Sequence, residues 1–301
     1  PDTLYGRESG GDPVVIPDLS YEDFLEFHKT YYHPENALIV LYGNIPTTDS
    51  LEFLAPRLSA FGKNGLAVAF ERQERWGTAR EQEDTYPAGS DESLDAKTYV
   101  PMSWLAVDAA DPLESLQADL LQLILFGNEA AALKKAIIDS GLGADLILSG
   151  AGSLGFEGIF SVGIKGTEPA NREAFQKRVI DELTRIADAG IAPAEVDAAF
   201  QQVAYQHLEI GANYPLHIMS SVLSSWNYGR DPLVGLQMRS YLKTLRERYD
   251  NAPDLFSTLI RKWLLENPHR LTLTLRPDRE MAARTAAAFE KRMADERAEM
   301  N

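Results

Sequence analysis

Cysteine is absent from this chain of 301 residues. Its absence excludes disulfides, thiolate zinc sites, iron–sulfur clusters and cysteine nucleophiles. Histidine is scarce, and neither a His-Glu-x-x-His nor a His-x-x-Glu-His motif occurs. The five histidines are His28, His33, His207, His217 and His269. Because no ligand set with metal spacing surrounds any of them, we predict that each is structural or lies on the surface.

The chain also has few basic residues and no long apolar run. The chain has 29 Lys and Arg residues against 45 Asp and Glu residues, a net charge of −16. Nucleic acids and anionic membranes bind concentrated positive surfaces, so we expect neither as a partner. The longest apolar run, residues 120–126, is far shorter than the roughly twenty residues that span a bilayer. The hydrophobic content of 45% is ordinary for a folded domain.

The first part of the chain carries the signals of a helix followed by a strand. Ser20 and Asp23 have the spacing of a capping box, and apolar residues at helical spacing continue to Pro34, which ends the helix. Residues 37–42 read as a buried strand, and a second helix is predicted over residues 49–61. The charged, turn-rich stretch that follows predicts a linker between domains, over residues 76–96.

A second unit is predicted from residue 97 onward. It begins with a strand at 97–107 and a helix that opens at Asp111-Pro112, with proline in the favoured first position. Further strands are predicted at 144–149, 159–165 and 270–275, and long helices at 169–189, 193–210, 214–226, 232–249, 253–266 and 279–301. Strands that bracket a block of helices indicate an α+β fold, a two-layer sandwich of mostly antiparallel sheet with helices packed on one face. Trp104 and Trp226 are expected in its core.

The chain contains one internal echo. A helix that ends at Pro34 precedes the predicted strand 37–42, and a helix that ends at Pro268 precedes the predicted strand 271–275. The offset is 234 residues for both the prolines and the strand starts. The echo suggests two similar domains that close with the same helix–strand unit, of which the first is present only as its tail.

Other motifs favour structural interpretations over chemical ones. Residues 150–155 match Gly-x-Gly-x-x-Gly, but a strand-like segment follows them, so a glycine-rich hairpin loop is favoured over a dinucleotide site. The carboxylate pairs Asp181/Glu182 and Glu114/Asp119 are interpreted as solvated helix faces. No catalytic residue is predicted in this chain.

Short motifs in a fixed order carry more information than any of these residues alone. They are Tyr5-Gly6, Gly10-Gly11-Asp12-Pro13, Tyr31-Tyr32-His33-Pro34 with Asn36, Ser140-Gly141-Leu142-Gly143, and Lys165-Gly166. In this order, over nearly the whole chain, they resemble the presequence-protease branch of the pitrilysin/insulinase zinc metallopeptidases. We interpret these residues as a structural signature of that family; substrate-binding residues cannot be named from it.

The resemblance implies a clamshell enzyme of two halves that cuts peptides inside a closed chamber. In the family, zinc is held by the histidines of a His-x-x-Glu-His motif and by a downstream glutamate, and all of these precede the Tyr5-Gly6 block. None can therefore be carried onto this chain, which is expected to be inactive alone and to bind no zinc. The implied partners are the catalytic N-terminal part and the C-terminal half of the same polypeptide, together with peptide substrates.

The resemblance also divides the chain. Residues 1–75 would finish a first pitrilysin-like domain, 76–96 would link, 97–278 would form a second, non-catalytic domain, and 279–301 would begin a helical connector. The sequence leaves two alternatives open: a non-catalytic homologue that acts as a scaffold or partner subunit, and an unrelated helical binding module. A cytoplasmic location is favoured, although nothing in the sequence fixes the compartment.

Overall fold

One mixed sheet organises the chain, for which the computed structural model describes residues 3–6, 9–66, 68 and 70–299. Its strands are β1 (Arg80–Pro87), β2 (Thr98–Asp108), β3 (Asp145–Leu154), β4 (Glu157–Thr167) and β5 (Arg270–Asp278). Their spatial order is β1-β5-β2-β4-β3. β1 pairs with β5 in parallel, and the remaining pairings are antiparallel. The predicted α+β class and the mostly antiparallel sheet are confirmed.

Ten helices accompany the sheet in the described part of the chain. They are α1 (Tyr21–Tyr31), α2 (Thr47–Leu58), α3 (Pro112–Phe126), α4 (Ala132–Asp139), α5 (Arg172–Ala189), α6 (Pro193–Leu208), α7 (Tyr214–Trp226), α8 (Met238–Asn251), α9 (Leu255–Ile260) and α10 (Met281–Glu299). A π-helical turn, Arg261–Leu265, extends α9. None of the described helices is both long enough and apolar enough to cross a membrane.

Helix starts follow from local side-chain chemistry. The Ser20 hydroxyl accepts a hydrogen bond from the Asp23 amide at 3.0 Å, as the capping-box spacing predicts. At α3, the Asp111 carboxylate accepts from the Leu113 amide at 2.8 Å, and Pro112 occupies the first turn, where no amide hydrogen is needed. Both helix starts were readable from the sequence because they depend on residues within three positions.

The core lies between the sheet and the helices on one of its faces. Along β2, Val100, Met102 and Trp104 are fully buried, whereas Pro101 and Ser103 between them are half-buried. This alternation follows from the two-residue period of a strand, which sends successive side chains to opposite faces. Buried residues of α3, α5 and α6 and of the α9 segment complete the same core, among them Leu120, Phe175, Val196, Phe256 and Trp263. We call the other, half-buried face of the sheet the open face.

One predicted core residue lies elsewhere. Trp104 is buried as expected, but Trp226, the last residue of α7, is half-buried and outside the core. Trp263, in the π-helical turn, is the second tryptophan of the core. The prediction for Trp226 was wrong because the burial of a helical side chain depends on tertiary packing, and α7 has no buried residue.

The predicted strand over residues 37–42 is not formed. Ala37 has extended backbone angles, but no described strand pairs with this segment, and Leu38, Ile39 and Leu41 are exposed. A strand exists only through hydrogen bonds to a neighbour, so an apolar run of extended residues is not sufficient. Both copies of the internal echo therefore contain the helix, but only the second copy forms the strand, which is β5.

The stretch interpreted as a linker contains a strand of the sheet. β1 lies at residues 80–87 and pairs in register with β5, so the sheet begins before residue 97. β1 is an edge strand, and edge strands are commonly charged, so the charges of residues 80–87 do not distinguish this strand from a linker. Glu81 and Glu83 face α5, where Arg172 lies 3.3 and 3.4 Å from their carboxylates.

The Gly-x-Gly-x-x-Gly motif lies mostly within β3. Residues 150–154 belong to the strand, and only Gly155 and Phe156 form the turn to β4. In a dinucleotide site a helix follows the glycines, whereas here a strand follows them. The predicted hairpin is confirmed, with a shorter loop than the sequence suggested.

Candidate functional site

A cavity of about 230 Å³ lies where the segment 70–76 crosses the open face of the sheet. Ser103 of β2, Ile159 of β4 and Leu271 of β5 contribute to its lining from the sheet. These residues alternate with buried core residues along their strands, so the cavity lies on the side of the sheet away from the helices. About half of the other lining residues are aromatic.

His269 and Trp76 form one end of the cavity. Their rings stack with centroids 4.0 Å apart and planes at 11°, and the Trp76 amide donates to Nδ1 of His269 at 3.1 Å. The Arg80 guanidinium lies 4.0 Å from the centroid of the Trp76 ring. Since Nδ1 accepts a hydrogen bond, the neutral His269 ring carries its proton on Nε2.

The environment of His269 keeps its ring neutral. Burial, together with the nearby charges of Arg75 and Arg80, lowers the pKa of His269 to about 4. A protonated ring would also lose the hydrogen bond from the Trp76 amide, because Nδ1 would become a donor. At pH 7 the residue is therefore a neutral donor at Nε2 and an acceptor at Nδ1.

Glu157 anchors the crossing segment to the sheet. Its buried carboxylate accepts from the Gln73 amide at 3.3 Å and from Arg75 at 3.4 Å. Arg75 also donates to the backbone carbonyl of Leu105 on β2. A buried carboxylate needs partners, and these bonds hold residues 73–75 against the C-terminal part of β2 and the start of β4.

Aromatic side chains close the opposite end of the cavity. The ring of Tyr228 lies 4.7 Å from that of Phe156 and 5.3 Å from that of Phe70. The hydroxyls of Tyr5 and Tyr228 share a hydrogen bond of 2.5 Å. Burial, together with this hydrogen bond, raises the pKa of Tyr228 to about 12, so its hydroxyl stays protonated in neutral solution.

A second polar cluster lies between α3, α6 and α7. Nε2 of His207 is 4.0 Å from the Asp119 carboxylate, and the rings of His207 and His217 have centroids 6.0 Å apart. Burial raises the pKa of Asp119 to about 6 and lowers that of His207. Within the described ranges, no group of three or more His, Asp or Glu side chains could hold a metal ion.

The carboxylate pairs are not simply solvated. Glu182 is buried and accepts from Arg185, whereas its neighbour Asp181 is exposed. Glu114 accepts from the Asp108 amide at 2.8 Å, and Asp119 is half-buried. The interpretation as a solvated face holds for Asp181 but was wrong for Glu182, Glu114 and Asp119, because the inward side of each helix is set by its packing.

Replacing Asp119 by asparagine is expected to stabilise the protein at neutral pH. The native pKa near 6 exceeds the usual 3.8, so the folded state binds more protons between these values and loses stability as pH rises through them. Asparagine cannot ionise, and screening at the partly exposed side chain limits the gain to about 1 kcal/mol. Urea unfolding at pH 7 and pH 3.5 checks this: the gain should be present at pH 7 and vanish at pH 3.5. An equal effect at both pH values would contradict it.

The family-signature residues occupy three separate places. Near the start, Asp12 accepts from the Val14 amide at 2.8 Å in an exposed turn that includes Gly10, Gly11 and Pro13. After α1, Nδ1 of His33 accepts from the Glu35 amide at 3.1 Å, and Asn36 donates to the Tyr31 carbonyl at 3.0 Å. Tyr32 ends that helix, and Pro34 begins the short turn that follows.

The remaining signature residues lie at the end of α4 and on β4. Ser140 donates to the Ile137 carbonyl at 2.6 Å, and Gly141 has a φ of +64°, which favours glycine. Gly143 approaches β4 so closely that a Cβ would lie 2.9 Å from Ile164. Lys165 pairs with Asp145 at 3.1 Å, and Gly166 lies against Ala144. The structure does not bring the signature residues into one site; each acts within its own turn.

Sequence reasoning missed the cavity and its histidine. Trp76, His269 and Glu157 are far apart in sequence and belong to no spacing pattern. His269 follows a proline just before a predicted strand. This pattern indicates where the strand begins, but it does not indicate whether the histidine is buried. Only the pairing of β5 with β2 places this histidine beside the crossing segment.

Comparisons with known proteins show which family the chain resembles. Residues 18–203, more than half of it, match the family described as the peptidase M16 inactive domain. Protein HypA of Clostridium perfringens (strain 13 / Type A) is 32% identical over 297 residues, which cover 97% of this chain and 30% of HypA. Presequence protease 1, chloroplastic/mitochondrial, of Arabidopsis thaliana is 32% identical over 292 residues, which cover 94% of this chain and 27% of that protein. The chain thus spans less than a third of the length of these relatives.

Solved structures share the fold at low sequence identity. The peptidase M16 inactive domain from Pseudomonas fluorescens superposes with a TM-score of 0.66 at 17% identity, covering 91% of this chain and 62% of that one. A protease from Helicobacter pylori gives a TM-score of 0.65 at 15% identity, covering 89% and 61%. With the family match, the motif resemblance is confirmed: the chain belongs to the M16 peptidase family and contains its inactive domain.

Proposed function

We propose that this chain is a non-catalytic part of a zinc-dependent metalloendopeptidase that degrades peptides in a closed chamber, and that it supplies part of the chamber wall. Its relatives of about 30% identity include proteins named presequence proteases. The described residues offer no ligand set that fits zinc, so we assign the metal to a part of the parent protein outside this chain. Peptide cleavage is likewise assigned to the assembled parent.

One observation carries this proposal: an apolar strip along residues 14–61 that nothing in the described structure covers. Neither α1 nor α2 has a buried residue. The exposed large apolar side chains of the strip are Val14, Val15, Ile16, Leu19, Tyr21, Phe24, Leu25, Phe27, Tyr31, Tyr32, Leu38, Ile39, Leu41, Tyr42, Ile45, Leu51, Phe53, Leu58 and Phe61. A surface this apolar indicates an interaction site.

The proposed partner of the strip is the remainder of a first M16-like domain. The apolar residues 37–42 begin with extended backbone at Ala37 and have no described strand partner, so we propose that they join a sheet that another part of the parent would supply. In this proposal residues 1–75 complete that first domain, and the sheet domain runs to residue 278. The segment 279–301 begins a connector to the C-terminal half. The relatives are more than three times as long as the chain, which supports such a division.

The chain expressed alone is expected to self-associate through the apolar strip. Replacing Phe24, Phe27 and Phe53 by serine should shift it toward a monomer, because these exposed rings favour burial against another copy. Sedimentation velocity measures the shift, and far-UV circular dichroism checks the fold. The control replaces Ile138, Leu148 and Phe289 by serine; these side chains are also exposed and lie outside the strip. Equal behaviour of the two triple variants would contradict the role of the strip.

The proposed function is tested by comparing this chain with the protein encoded by its whole open reading frame. We expect the chain alone to contain no stoichiometric zinc by elemental analysis and to cleave no quenched fluorescent peptide. The whole protein should contain one zinc per molecule and cleave the peptide, and a chelator should abolish cleavage. One tightly bound zinc in the chain alone would overturn the proposal. A whole protein without zinc or cleavage would instead favour a scaffold or partner subunit.

The names of the relatives do not decide the cellular compartment of this chain. Several are named as mitochondrial, and one as chloroplastic/mitochondrial. A cytoplasmic location for this chain stays the prediction made from its sequence, and fractionation of the source cells would test it.

A further inference from the structure

We propose that the cavity on the open face binds an aromatic side chain of a peptide together with a neighbouring backbone carbonyl. The inference rests on the proposed function for its ligand class, since peptides are the substrates of the proposed parent. It gives the chamber wall a specific contact with substrate, away from any metal. Volume, lining and hydrogen bonding each support it.

The volume suits one aromatic ring and part of its backbone. An apolar cavity of about 150 Å³ is sufficient to hold benzene. The cavity here measures about 230 Å³, so it leaves room for a ring and for an adjoining amide. A small aliphatic side chain would leave much of this space empty and would lose the corresponding dispersion contacts.

The lining favours an aromatic occupant. Phe70, Trp76, Phe156 and Tyr228 all line the cavity, and Tyr5 closes it beside Tyr228. Aromatic rings attract one another in tilted and edge-to-face arrangements at centroid distances of about 4.5–7 Å. Phe70, Phe156 and Tyr228 already adopt such arrangements, so a ligand ring would extend an existing cluster.

His269 supplies the hydrogen-bond donor that such a ligand would need. The residue is 6% exposed and lines the cavity, and its Nδ1 is occupied by the Trp76 amide. Its Nε2–H has no hydrogen-bond partner among the described residues. Unlike the indole nitrogen of Trp104, Nε2 of His269 is not fully buried, so a peptide carbonyl oxygen in the cavity can reach it and accept its hydrogen bond.

Several other polar groups in the lining are already paired. The hydroxyls of Ser103 and Ser161 share a hydrogen bond of 2.8 Å, and Glu157 holds Gln73 and Arg75. Trp104 also lines the cavity and its indole N–H is unpaired, but that nitrogen is fully buried, so a ligand does not reach it. His269 is therefore the donor that we assign to the ligand.

Titration of the chain with N-acetylphenylalaninamide tests the cavity directly. We expect saturable binding with a millimolar dissociation constant, as ligand efficiency allows for about 15 non-hydrogen atoms. N-Acetylalaninamide should bind at least tenfold more weakly. Two-dimensional NMR of the labelled histidine and tryptophan side chains follows both titrations. Absence of saturation at 50 mM, or equal affinity for the two probes, would overturn the proposal.

Variants locate the binding and assign the donor. Leu154→Trp should fill the cavity and weaken binding at least tenfold, since Leu154 lines it and is 45% exposed. The control Ile138→Trp, at 47% exposure on α4 and outside the lining, should leave affinity unchanged. His269→Phe should weaken N-acetylphenylalaninamide binding three- to tenfold and leave toluene binding unchanged.

Unaltered binding in Leu154→Trp would place the ligand elsewhere and overturn the proposal. Equal losses for toluene and the amide in a folded His269→Phe variant would overturn the assignment of the donor. Because these measurements need neither zinc nor cleavage, their failure leaves the test of the proposed function intact. A parent protein without peptidase activity would likewise leave a measured affinity standing.

Discussion

Replacing Trp104 by alanine is expected to lower the free energy of unfolding by about 3–5 kcal/mol. The side chain is fully buried between the sheet and the helices, so its removal loses apolar burial and leaves a large cavity. Urea unfolding followed by far-UV circular dichroism measures the loss, because that signal does not depend on the deleted indole. A variant that fails to fold at all would agree with the expected direction.

Trp226→Ala is the matched comparison. The same atoms are removed, but Trp226 is half-buried and lies outside the core, so we expect a loss of about 1–2 kcal/mol. Equal losses for the two variants would contradict the assignment of Trp104 to the core and of Trp226 to the periphery.

Acidification is expected to destabilise the protein through His269. The folded-state pKa is about 4, against 6.5 for an ordinary histidine. Between these values the unfolded chain binds a proton that the folded chain does not, so the free energy of unfolding falls as pH drops from 6.5 to 4. Each pKa unit corresponds to about 1.4 kcal/mol, which gives a loss of up to about 3 kcal/mol by pH 4.

His269→Phe isolates this contribution. Phenylalanine retains a ring beside Trp76 but cannot titrate, so the variant should lose less stability than the wild type between pH 7 and pH 4.5. At pH 7 it should be less stable by about 1 kcal/mol, because the Trp76 amide loses its acceptor. His28→Phe, at an exposed position on α1, is the control and should keep the wild-type slope. A His269→Phe slope equal to that of the wild type would disprove the role of His269.

Much of the fold was predictable because its signals are local. The capping box at Ser20, the Asp111-Pro112 helix start and the β3–β4 hairpin depend on residues close in sequence. The order of the short motifs was sufficient to identify the family from the sequence. Local patterns misled in two places: the apolar run 37–42 has no described strand partner, and the charged run 80–87 is an edge strand.

The candidate site could not be predicted in this way. Trp76 and His269 are 193 positions apart, and their stacking exists only because β5 pairs with β2 and the crossing segment is held by Glu157. Likewise, no pattern in α3 distinguishes Asp119 from a solvated acid. Its raised pKa comes from burial against other elements, and burial is a property of the assembled structure.

The sequence by itself determined the family, the α+β class, the helix starts and the absence of any cysteine or metal motif. Each of these depends on residue identity or on spacing within a few positions. The tertiary structure alone decided that residues 80–87 join the sheet, that Trp226 leaves the core, that α1 and α2 bury no residue, and that His269 lies neutral in an aromatic cavity. These features depend on which distant surfaces meet, because burial and the pKa shifts it causes arise from contacts between elements far apart in the chain.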